Sequence, residues 1–146
     1  MSRDRVIDVP GWVRPLGHVG GVTPSGRHIF LAGQLGWDDR ACFVARELVG
    51  QVRQALVNIV TLLARAGAGP QHITRMTWYV TDKREYQRQM PAIARVYSEQ
   101  IGAEFPPMTA VAVESLMYDE ALVEIEVTAV VDDVATKPHS PHVRRH

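Results

Sequence analysis

Cysteine is almost missing from this chain: Cys42 is the only one in 146 residues. That excludes an intramolecular disulfide and any zinc site built from several cysteines. An excess of one charge is missing too. Sixteen basic residues face sixteen acidic ones, so the formal net charge is zero with histidine neutral. Lys137, Arg144 and Arg145 fall in an acid-free stretch after Val134, which leaves −3 for residues 1–133. Nucleic-acid binders ordinarily carry a basic excess, so no nucleic-acid partner is expected. No apolar run approaches the roughly 20 residues a membrane-crossing helix needs, so no membrane partner is expected either. Met1 to Val9 is charged and has no apolar stretch of the kind a secretion leader carries. The default reading is a cytoplasmic protein. Phosphate-cradling glycine loops, HExxH, GxSxG and paired CxxC are all absent.

What is there is an ordinary globular composition, 46% hydrophobic and 22% charged, at a length that suits one domain. Residues 1–26 are rich in Pro and Gly and predict a lead-in with turns and short strands at Val6 to Val9 and His18 to Val22. His28 to Leu35 predicts a strand, interrupted at Gly33 by a bulge or by a ligand close to the backbone. Leu48, Val52, Leu56, Ile59, Val60 and Leu63 recur at helical spacing and predict a helix over Arg46 to Arg65, stopped by Gly67 and Gly69-Pro70. Ile73 to Thr81 is rich in β-branched and aromatic residues and predicts a strand. Asp82 caps one short turn near 84–89, and a second helix follows with Pro91 in its first turn and Gly102 at its end. Met108 to Glu114 and Leu122 to Val131 predict two further strands. In the last, Val123, Ile125, Val127, Ala129 and Val131 face one way, while Glu124, Glu126 and Thr128 face the other.

The order is ββαβαββ. Each of two helices crosses between strands, which predicts both on one face of a mixed sheet. The other face is left bare, carrying Phe30, Trp78 or Tyr79, and Leu122. A bare, partly apolar face predicts self-association. Residues 1–133 form a single domain, and the Pro/His/Arg-rich residues 134–146 read as a disordered tail. The tail histidines His139, His142 and His146 read as solvated, and no metal is expected.

Among the carboxylates, Glu124 and Glu126 stand out because they share the face that opposes the helices. One reading makes both rim residues, hydrated or paired with arginine. The other puts one of them in a cleft between subunits, where partial desolvation raises its pKa and lets it handle a proton or hold a water. Phe105-Pro106-Pro107-Met108-Thr109 is the second feature: two prolines fix an extended approach to a strand. Met108 there is either core filling or part of an apolar pocket with Trp37, Trp78 or Tyr118.

Phe30-Leu31-Ala32-Gly33-Gln34, the helix Gln51 to Arg65, Trp78-Tyr79-Val80-Thr81-Asp82, Phe105 to Thr109 and Ala121 to Glu126 occur in that order. Together they resemble the Rid family (reactive intermediate deaminase, also called YjgF or L-PSP) over residues 15–131. The resemblance implies an α+β, chorismate-mutase-like fold. It further implies a homotrimer with a barrel-like core, and clefts between subunits that take a small-molecule ligand. Deaminating members hydrolyse enamines and imines without cofactor or metal.

Carried over residue by residue, the resemblance makes Glu124 the catalytic carboxylate that holds the attacking water. It makes His18, Ala32, Gly33, Gln34, Met108 and Thr109 substrate-binding. His18 falls where the family has a tyrosine and Ala32 where it has a serine. The family's asparagine before the second helix, near Pro91, is absent. Met108 replaces the arginine that clamps a substrate carboxylate. One extra residue lies in the loop Leu116 to Glu120. A guanidinium grips a carboxylate with two charge-assisted hydrogen bonds, and a thioether has neither charge nor donor. Each such bond is worth about 1.5–3 kcal/mol, so a less acidic substrate is expected.

Three other readings stand beside the divergent hydrolase. A non-catalytic binder or sensor fits the lost polar positions. An endoribonuclease or translation inhibitor is disfavoured by the neutral charge. A chorismate-type enzyme would need Arg14, Arg27, Arg75 or Arg95 to meet a dicarboxylate, and fold analogy alone does not establish it.

Overall fold

The computed structural model describes residues 6–13 and 19–132. His18 and the segment 134–146 lie outside the described residues, and so do the readings placed on them.

Six strands and three helices follow one another: β1 (Val6–Ile7), β2 (Gly21–Val22), β3 (Arg27–Leu35), α1 (Leu48–Arg65), β4 (Ile73–Val80), α2 (Lys83–Arg88), α3 (Met90–Gln100), β5 (Met108–Ala112) and β6 (Val123–Val131). A 3₁₀ turn at Pro70–His72 leads into β4. β1 and β2 form a two-stranded ribbon, and the main sheet runs β3-β6-β4-β5. β6 pairs antiparallel with both β3 and β4, while β4 and β5 are parallel. β3 and β4 therefore run the same way, and each parallel crossover places its helix on one sheet face.

The apolar stripe of α1 explains its burial. Val52, Ala55, Leu56, Ile59 and Leu63 are all fully buried against Ile125, Val127 and Ala129 of β6 and Met76 of β4. Each such Leu or Ile contributes about 1.5–3 kcal/mol. The helix starts two residues later than the periodicity predicts. The Glu47 carboxylate caps it by accepting from the Gly50 N–H at 2.9 Å, so Arg46 stays outside. Asp82 caps α2 through the Glu85 N–H at 3.0 Å, and Pro91 occupies the first turn of α3.

The structure settles one assignment of side chain to face that the sequence left open and overturns another. Trp78 is buried with the helices, and Tyr79 takes the open face. Leu122 packs against the core rather than the open face, because the Gln51 side chain draws its backbone toward α1. Phe30 does stand on the open face, 75% exposed.

Candidate functional site

β3 carries one residue more than its partner between Leu31, opposite Val127, and Gln34, opposite Ile125. This is a β-bulge at Ala32 and Gly33. The Gln34 amide closes it by donating to the Ala32 carbonyl at 2.9 Å. The bulge brings the β3 backbone under the side chain of Glu124. A Cβ at Gly33 would stand 2.1 Å from Glu124 Oε1 and 2.8 Å from its Cδ. Only glycine leaves the carboxylate this seat. Glu124 pairs in register with Tyr79 on the open face and is half-buried, while Glu126, opposite Thr77, is exposed. Among the described residues no cation pairs with either acid.

Behind this corner lies a polar support that the sequence reading missed. Gln51 is fully buried in the apolar stripe of α1. Its amide donates to the carbonyls of Ala45 at 3.1 Å and Glu120 at 2.9 Å, and its Oε1 accepts from the Leu122 N–H at 2.8 Å. Asn58 donates to the carbonyls of Leu35 at 3.1 Å and Trp37 at 2.8 Å. α1 thus grips both the exit of β3 and the entry of β6, and their register fixes Gly33 against Glu124. The available signal was a glutamine at a position where the helical stripe calls for an apolar residue.

Met108 lies elsewhere. Through Met76 it stands level with Val127, three residues from Glu124 along the sheet and two strands across. Strand geometry makes that about 10 Å in each direction. Met108 is half-buried and packs on the helix side, whereas Glu124 is on the open face. One protomer does not bring these two side chains together. Thr109 is exposed beside Thr77 on the open face. An open depression of about 390 Å³ lies next to it, lined by Gly21, Thr74, Arg75, Met108 and Thr109. Arg75 lies in this depression, while Arg27 donates to the Ala66 carbonyl at 3.0 Å and Arg14 falls outside the described residues.

The aromatic residues divide. Trp78 joins Met108 in an apolar cavity of about 260 Å³ under α2 and α3. Trp37 instead meets Tyr118 edge-on, with ring centroids 4.9 Å apart, and Phe43 at 5.9 Å. Tyr97 donates to the Glu104 carbonyl at 2.5 Å and stacks on Phe105, which holds the loop before Met108. Burial, and next the charge of Glu104, pushes the Tyr97 phenol far above its usual range, and burial raises Tyr86. Both phenols stay protonated at neutral pH. Among the described residues, no three His, Cys, Asp or Glu side chains gather as a metal-ligand set. No described helix is long and apolar enough to cross a membrane.

A helix layer on one face of a mixed sheet, with a carboxylate seated over a strand bulge on the other, defines an α+β protein of the YjgF/L-PSP fold. The chain belongs to the endoribonuclease L-PSP family, whose model matches residues 14–131. A RutC family protein of Pyrococcus horikoshii is 30% identical over 117 residues, which cover 80% of this chain and 89% of that protein. A 2-iminobutanoate/2-iminopropanoate deaminase of Dermatophagoides farinae is 26% identical over 133 residues, covering 90% of this chain and all of that one. Among solved structures, the Rid family protein YyfB of Yersinia pestis, of unknown function, superposes with a TM-score of 0.77. It is 31% identical, covering 87% of this chain and 98% of its own.

Proposed function

We propose that this chain is a cofactor-free hydrolase of small imines or enamines, working in a cleft between copies of a homotrimer, with Glu124 as its catalytic residue. The observation that carries the reading is the Glu124 carboxylate, seated over Gly33 on the open sheet face with no cation beside it among the described residues. The similarity to a protein named as an imine deaminase points the same way. A subunit cleft accounts for the separation of Glu124 from Met108: the edge strand β5 of one copy meets the open face of the next. Phe30 and Val111, 75% and 40% exposed, are apolar surface available for that contact.

In this cleft Glu124 holds a water and takes its proton as the oxygen attacks the imine carbon. The proton passes to nitrogen, the C–N bond breaks, and ammonia and a carbonyl compound leave. The Gly33 backbone, with Ala32, Gln34 and Thr109, lines the substrate, and His18 is its polar partner. Met108 removes the charge that would select a carboxylate, so the substrate is less acidic than an amino acid-derived imine. The reading is of a protein in the cytoplasm.

Imines generated in situ by an amino acid oxidase, with ammonia release followed, test this. Glu124→Gln should lose about 100-fold or more of the rate, the scale of a general base. Equal rates for Glu124→Gln and wild type on every imine turned over would end the proposal. Met108 also favours a second reading, a binder that kept the cleft and lost the chemistry. Thermal stabilisation by a metabolite that is never turned over would select it. Sedimentation that reports a lone protomer at micromolar concentration would remove the cleft altogether.

A further inference from the structure

In hydrolysis by Glu124 a proton has to cross from the carboxylate to the imine nitrogen, and the row of side chains across the open face holds a carrier for it. The bulge at Ala32 and Gly33 turns Leu35 onto this face, where it stands opposite Glu124. On its other side Glu124 stands opposite Tyr79, and Tyr79 in turn is level with Val111. Across β3, β6, β4 and β5 the row is Leu35, Glu124, Tyr79 and Val111: two polar groups face each other between apolar flanks. Side chains directly opposite on neighbouring strands share a face, with Cβ atoms about 4.5–5.5 Å apart. Tyr79 is half-buried, yet its hydroxyl has no hydrogen-bond partner among the described residues, and neither has the Glu124 carboxylate. Both stay within reach of water and of a ligand, since the buried side-chain polar atom without a partner there is Trp78 Nε1 and none of theirs. The glutamate leans toward β3, over Gly33. The longer phenol rises from β4, which leaves a gap between carboxylate and hydroxyl.

We infer that Tyr79 is a second catalytic residue, the general acid whose hydroxyl donates its proton to the imine nitrogen held in this gap. The role rests on Glu124 hydrolysis and gives its proton a path. As the water oxygen attacks carbon, Glu124 takes a water proton, the π pair of the C=N bond moves to nitrogen, and nitrogen takes the Tyr79 proton. The phenolate recovers a proton from the Glu124 carboxylic acid through water, which resets both groups with a carbinolamine between them. In the second half Tyr79 gives its proton to the amine nitrogen, the C–N bond breaks, and Glu124 takes the hydroxyl proton as the carbonyl forms. Ammonia leaves and the proton returns from Glu124 to Tyr79. The sum is imine plus water to carbonyl compound plus ammonia. Leu35 and Val111 offer no competing donor or acceptor in the row.

Ammonia release from imines made in situ by an amino acid oxidase tests this on the full chain, with Tyr79→Phe, Glu124→Gln and the double variant. Tyr79→Phe removes only an unpartnered hydroxyl, so its melting temperature should match that of the wild type. Its kcat should fall about 100-fold, the lower end of the range for a positioned acid, with KM unchanged. The double variant should be no slower than Glu124→Gln, because the two groups act as one relay. Wild-type kcat in Tyr79→Phe, while Glu124→Gln has lost its rate, would overturn the role of Tyr79 and leave Glu124 standing. A loss confined to KM, or two losses that multiply in the double variant, would do the same. A wild type that turns over no imine removes Glu124 hydrolysis, and the Tyr79 role goes with it.

Discussion

The Glu124 corner and the Met108 corner of the same sheet are held in place by opposite means. At Glu124, directional bonds do the holding: Gln51 and Asn58 tie α1 to backbone on both flanks, and the carboxylate fits over a residue without a side chain. At Met108, packing does it: rings and thioethers surround unfilled volume. A proton-handling group needs a fixed position, and directional bonds supply one. A selecting wall needs shape, and soft side chains supply that with room to change.

The contrast is broken most severely at Gln51. In Gln51→Leu, two carbonyls and one N–H lose their partner, and stability should fall by about 3 kcal/mol in urea unfolding, given about 1–3 kcal/mol per unmet buried group. Met108→Arg should make the two corners alike by giving the second a charge. Relative turnover of a carboxylate-bearing imine over a neutral one should rise tenfold or more, since charge-assisted bonds are worth about 1.5–3 kcal/mol. An unchanged preference would place selectivity elsewhere. Gly33→Ala should sharpen the comparison, because the added methyl displaces only the end of a flexible side chain. Ammonia release should drop about tenfold, while the melting temperature shifts by less than about 1 kcal/mol allows, as for substitutions that disturb no core packing. The smallest effect belongs to Asp82→Ala, which uncaps the short helix bearing Tyr86. About 1 kcal/mol of stability should go, with the Glu124 corner untouched.

Legibility in the sequence follows the same division. The α1 stripe and the strict alternation of β6 have one period each and were readable, and so was the interruption at Gly33. The partner of Gly33 was not, because it depends on which strand lies beside β3. Trp78 and Tyr79 are adjacent aromatic residues and either can be buried, so the choice between them was left open, although Arg75 and Thr77 mark the face of Tyr79. Leu122 misled for another reason: strand alternation was extended one residue beyond the strand, into a segment positioned by Gln51. The separation of Met108 from Glu124 comes from the strand order β6-β4-β5, which no local pattern encodes.

Gln51 grips the chain on both sides of Ala121, at the Glu120 carbonyl and the Leu122 amide. A slip of β6 by a single position would exchange its inward and outward sides and thrust Glu124 among the aliphatic residues. With the clasp at its end, the preceding loop from Leu116 to Glu120 is free to lengthen or shorten. That stretch is a natural place to splice in a reporter peptide, since the phase of everything downstream is set after it.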